Sequence, residues 1–108
     1  MNPADMLGWL EAFYFGYCDG DWEHQCGITI TTIDNPGWSV TVDLEGTVLF
    51  GASFESVEIE RSENDWIQCS KKLRSWEGVG GPHNLREILE TFRRWTESTR
   101  QLSRLDPP

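Results

Sequence analysis

With 108 residues, 38% hydrophobic and 25% charged, the chain has the size and composition of one globular domain, expected over residues 1–108 with a frayed end at 105–108. Its net charge of −9 is one-sided, because residues 1–60 hold eleven acids and no Lys or Arg while residues 61–108 hold seven acids and nine bases. A field of that sign repels phosphate backbones and anionic membrane surfaces, which argues against nucleic acid and membranes as partners and for a basic protein.

The first residues lack the basic region of a signal peptide, and no apolar run reaches the length of a membrane span, so a cytoplasmic protein is expected. Cys18, Cys26 and Cys69 form no metal or disulfide spacing and read as reduced, packed thiols.

In chain order, Asn2 can cap a helix, Pro3 suits its first position and Asp5 complements its dipole. Met6, Trp9, Leu10, Phe13 and Tyr17 recur at the spacing of one helical face, which predicts a helix ending near Cys18. Asp19-Gly20-Asp21 then turns the chain. From Trp22 to Thr31 apolar and polar residues alternate, predicting a strand with Trp22, His24, Cys26, Ile28 and Ile30 inward.

Asp34-Asn35-Pro36-Gly37 supplies a preset φ and a glycine for a hairpin turn. The returning strand reads Trp38, Val40, Val42 and Leu44 on one face and Ser39, Thr41, Asp43 and Glu45 on the other. Three further strands are expected around Phe54–Arg61, with Val57 and Ile59 inward, around Trp66–Lys71 and around Leu73–Val79, with a turn at Glu63-Asn64-Asp65. Asn84 and Glu87 have capping-box spacing, followed by the stripe Leu85, Ile88, Leu89, Phe92, Trp95 and Leu102 of a second helix. The fold class is α+β: two layers, a mainly antiparallel sheet of about five strands with N- and C-terminal helices packed on one face.

Three chemical readings compete with simple binding. Asp19, Asp21, Glu23 and His24 fall within six residues and have the donor types of a metal-dependent hydrolase. Their spacing fits no EF-hand, and turn aspartates accepting backbone N–H groups explain the same residues. Gly78-Val79-Gly80-Gly81-Pro82 precedes a helix, but it lacks the Lys-Ser/Thr of a P-loop and reads as a tight connection. With two histidines and no nucleophile motif, no catalytic, cofactor or metal site is expected. The bases from Arg86 to Arg104 alternate with Glu87, Glu90 and Glu97, as on a solvated helix face.

Several blocks occur together in one order: Cys18-Asp-Gly-Asp-Trp-Glu-His24, Gly27-Ile28, Asp34-Asn-Pro-Gly-Trp38, Val42-Asp43-Leu44, Glu60-Arg-Ser-Glu-Asn-Asp-Trp66, and Gly80-Gly-Pro82 with Asn84-Leu85. In these blocks the chain resembles the immunity protein 53 family of bacterial polymorphic-toxin systems, over roughly residues 6–96. The resemblance implies an immunity-type domain, not an enzyme, that binds and neutralises a cognate toxin, of which many in this broad class are nucleases with basic surfaces. It carries no contact residues over.

From the residues themselves, Asp19, Asp21 and Glu23 in the first turn, with Asp34, Asp43 and Glu45 at hairpin ends and on the open sheet face, are the expected toxin contacts. Trp22 or Trp38 would be the central anchor, the competing reading being that both belong to the core. A monomer is expected, and a regulatory protein-binding domain or the hydrolase above are the alternatives.

Overall fold

The computed structural model describes residues 5–105, so the expected cap at Asn2, the helical position at Pro3 and the tail Asp106–Pro108 lie outside the described residues. Helix α1 (Met6–Tyr17) begins at Asp5, whose carboxylate accepts the Gly8 N–H at 2.9 Å, so Asp5 caps the helix as well as favouring its dipole. A single helical turn, α2 (Trp22–Gln25), precedes β1 (Ile28–Ile33) and β2 (Gly37–Asp43), which form the expected hairpin about residues 34–36. Then follow β3 (Val57–Ser62), β4 (Asp65–Lys71), β5 (Ser75–Gly80) and α3 (Leu85–Leu105), so Leu105 is helical.

The five strands form one antiparallel sheet in the order β1-β2-β5-β4-β3, and the expected α+β class is borne out. After β2 the chain crosses to the far edge, and β3, β4 and β5 step back until β5 pairs with β2. Helix α3 lies across β2, β5 and β4, and α1 packs beside α3 over the same core. The two helices run in the same direction, since Trp9 meets Phe92 and, further along both, Phe13 faces Arg100.

Period-2 patterning places the core as expected. Val40, Val42 and Leu44 are buried, and Val57 and Ile59 pack partly against the core; Ile67 and Trp76, for whose strands no inward face is expected, are buried with them. Phe92 is the hub of the helical layer, with ring centroids of Trp9, Phe13, Trp76 and Trp95 at 5.0–6.1 Å. The crossover segment is pinned to this layer. Leu49 is buried, Phe54 sits between Trp76 and Trp95, and the Trp95 indole donates to the Ser53 carbonyl at 2.9 Å.

Four expectations are corrected. Residues 22–25 are helical rather than extended, so His24 is exposed and the strand begins at Ile28. Ile30 is 39% exposed because β1 is an edge strand. Leu102 is 66% exposed, α3 being longer than the core it covers. The capping box is also altered: Glu87 reaches the Asn84 side chain at 3.1 Å, while the Asn84 N–H donates to the Gly81 carbonyl.

The buried Asn84 instead ties the sheet to α3. Its Oδ1 accepts the Trp66 N–H at 3.3 Å, and its Nδ2 donates to Asp65 and Glu87. Arg61 closes the cluster, donating to both oxygens of Glu87 and to Asp65. The Asn84 and Arg61 hydrogen bonds hold Asp65 below the usual carboxylate range, and Arg61 chiefly does the same for Glu87. Asn84→Ala orphans the Trp66 N–H and is expected to cost about 1–3 kcal/mol in denaturant unfolding with an unchanged slope.

Candidate binding surface

The turn between α1 and α2 is built by its own carboxylates. Asp19 Oδ1 accepts the N–H groups of Asp21 and Trp22, both at 2.9 Å, which starts the helical turn. Glu23 reaches back to the N–H groups of Asp19 at 2.9 Å and Gly20 at 2.9 Å. Gly20 takes φ +96°, a conformation that favours glycine at this corner. These bonds favour the ionised acids. The Trp22 and Asp21 amides lower the pKa of Asp19, and the amides of Glu23 itself, Asp19 and Gly20 lower that of Glu23.

The same turn carries Trp22 inward. Its ring is buried against Tyr17 and Tyr14, and its indole N–H donates to the Glu45 carbonyl at 2.8 Å. Gly46, at φ +81°, lies over that ring, where a Cβ would approach Trp22 Cδ1 to 3.1 Å. Trp22 therefore fixes the turn against the loop after β2, with only 8% of its surface left exposed.

Asp43 locks the other side by accepting the Gly27 N–H at 2.9 Å, joining the end of β2 to the start of β1. Between these elements lies an open cleft of about 360 Å³, lined by Asp19, Asp21, Trp22 and Glu45 with Tyr17 and Cys26 among their neighbours. Burial, then the charges of Asp43 and Glu45, raise the Cys26 thiol above its ordinary range, while burial pushes Cys69 up to about 12. Neither is a poised nucleophile. Among the described residues no group of three or more His, Cys, Asp or Glu side chains is arranged to hold a metal ion.

Tertiary folding thus gathers Asp19, Asp21, Trp22, Glu23, Asp43 and Glu45 at one end of the first hairpin. It separates Asp34, which lies at the opposite turn, about 20 Å away along the six residues of β1. Trp38 stands near that far turn, half-buried, its indole donating to the Pro82 carbonyl at 3.1 Å. Arg74 reaches the cleft end, with its guanidinium 3.4 Å from Glu45 in an exposed pair.

Sequence reasoning missed the apolar surface on α1 beside this end. Phe15 is 77% exposed, and Leu10 and Tyr14 border a second groove of about 330 Å³ that runs to Ile28. The helical stripe names inward residues, the buried Leu10 among them, and leaves the outward Tyr14 and Phe15 unread.

No curated protein and no solved structure matches the chain. A family model described as immunity protein 53 does match, over residues 7–97. That match spans most of the chain and takes in both hairpin ends, the sheet and most of α3. The chain belongs to the immunity protein 53 family.

Proposed function

We propose that this protein acts in the cytoplasm of the producing cell as a monomeric, non-catalytic inhibitor of a cognate toxin, and that the toxin is a basic domain of the nuclease class. Family membership supports the immunity role. The observation that supports the mode of binding is the gathering of Asp19, Asp21, Asp43 and Glu45 around one end of the hairpin, in a stretch of sixty residues without Lys or Arg. Carboxylates so placed face a cationic surface as phosphates would, raising the association rate and rejecting acidic partners.

The acids divide by task. Asp19, Glu23 and Asp43 accept backbone N–H groups and hold the turn, so reversing them would damage the fold. Asp21 and Glu45 are exposed, and neither carboxylate accepts a backbone N–H among the described residues. The double variant Asp21→Lys/Glu45→Lys should keep the native circular dichroism. It should slow association with the toxin encoded beside this gene by about 10- to 100-fold and flatten the salt dependence. An unchanged rate and salt slope would sink acidic steering. Failure of the unaltered protein to rescue cells expressing that toxin would sink the immunity role itself.

A further inference from the structure

The two edges of the sheet are built differently. Edge strand β3 carries Glu58, Glu60 and Arg61, and its register with β4 shifts between Glu60 and Ser62, both devices that discourage an added strand. Edge strand β1, Ile-Thr-Ile-Thr-Thr-Ile, has no charge and no Pro, pairs with β2 without a shift, and is exposed from Thr29 to Thr32. It is an open template.

Its free backbone groups can be assigned. The Asp43 N–H donates to the Gly27 carbonyl at 3.0 Å, which makes residues 27 and 43 a hydrogen-bonded pair. Alternation along an antiparallel ladder then turns Thr29, Thr31 and Ile33 toward β2 and leaves the N–H and C=O groups of Ile28, Ile30 and Thr32 facing outward. Of these, the Thr32 carbonyl has a weak contact from the Thr31 hydroxyl at 3.4 Å. On the helical side a groove bordered by Leu10, Glu11, Tyr14, Gly27 and Ile28 offers room for side chains of a new strand, and Ile30, on the same face of the sheet, is 39% exposed.

Charge decides the occupant. If a second copy paired antiparallel about Ile30, which sets the outward groups of both copies against each other, Asp34 of one would stand opposite Cys26 of the other. That position lies beside Asp43 and the acidic cleft, and symmetry would repeat the repulsion. An extended segment flanked by Lys or Arg meets Asp34 at one end and the cleft carboxylates at the other.

We infer that the free edge of β1 takes up an extended segment of the toxin, basic at its ends, as a sixth strand of the sheet. The inference rests on the immunity reading above and specifies the contact surface. The test uses the full chain with an inactivated toxin domain from the adjacent gene. In the complex, hydrogen exchange at the Ile28, Ile30 and Thr32 amides should slow at least about 10-fold. Ile30→Pro removes an outward donor without touching the ladder to β2, and should weaken binding about 30-fold or more. If that variant does not fold, exchange in the unaltered protein decides. Toxin bound with these amides unaffected overturns the sixth strand and leaves the immunity reading standing, whereas absence of binding by the unaltered chain overturns both. A dimer of the isolated chain protecting the same amides overturns the choice of occupant.

Discussion

Phe92→Ala is expected to destabilise the fold by about 3–5 kcal/mol, a large share of the stability of a domain this size. Phe92 is fully buried and touches rings from three elements: Trp9 and Phe13 of α1, Trp76 of β5, and Trp95 within its own helix. Its removal leaves a cavity between rigid rings that cannot collapse to fill it. Equilibrium urea unfolding measures the loss, and a cost below about 1 kcal/mol would mean that the layer repacks freely. The surface acids lie away from this cavity. The folded fraction should therefore bind toxin at the usual association rate, while protection in cells falls with abundance.

Gly78→Val should cost about 3 kcal/mol, the upper end for overpacking, with no void involved. Gly78 lies in β5 beneath α3, and a Cβ there would stand 2.4 Å from Ile88 Cγ2 and 2.8 Å from Trp76 Cη2. Both neighbours are fully buried, so α3 must lift or Trp76 must leave its place. Gly16 supplies the control. It lies in α1, where a Cβ would meet nothing within 4 Å, and Gly16→Ala should stabilise by about 0.5–1 kcal/mol through helix propensity. Parallel thermal melts separate the cases. Equal effects at the two glycines would show that the contact with Ile88 does not govern the spacing of helix and sheet.

Much of the architecture was legible because it rests on local rules. The turn at residues 34–37 and the alternation after it specify the β1–β2 hairpin and place Val40, Val42 and Leu44 inside. The stripes of α1 and α3 up to Trp95 name the residues that join the common core, those of α3 over the sheet and those of α1 beside α3. The one-sided charge and the ordered blocks that match the family are also properties of the sequence itself.

Tertiary structure decided the rest. Four residues from Trp22 to Gln25 satisfy strand alternation and one helical turn equally well, and only the Asp19 and Glu23 carboxylates on neighbouring amides, with the indole seated on Glu45, select the turn. Ile30 has the right parity for the core, yet its exposure depends on β1 being an edge strand. Asn84 has a capping residue's spacing, but a strand amide eighteen positions away claims its oxygen. The acids between Asp19 and Glu45 are one run in sequence, and folding parts them into a cluster and a distant Asp34 because the hairpin sends its turn and its open end in opposite directions. Periodicity records which way a side chain points along its own element; what it meets there is set by contacts between segments far apart in the chain.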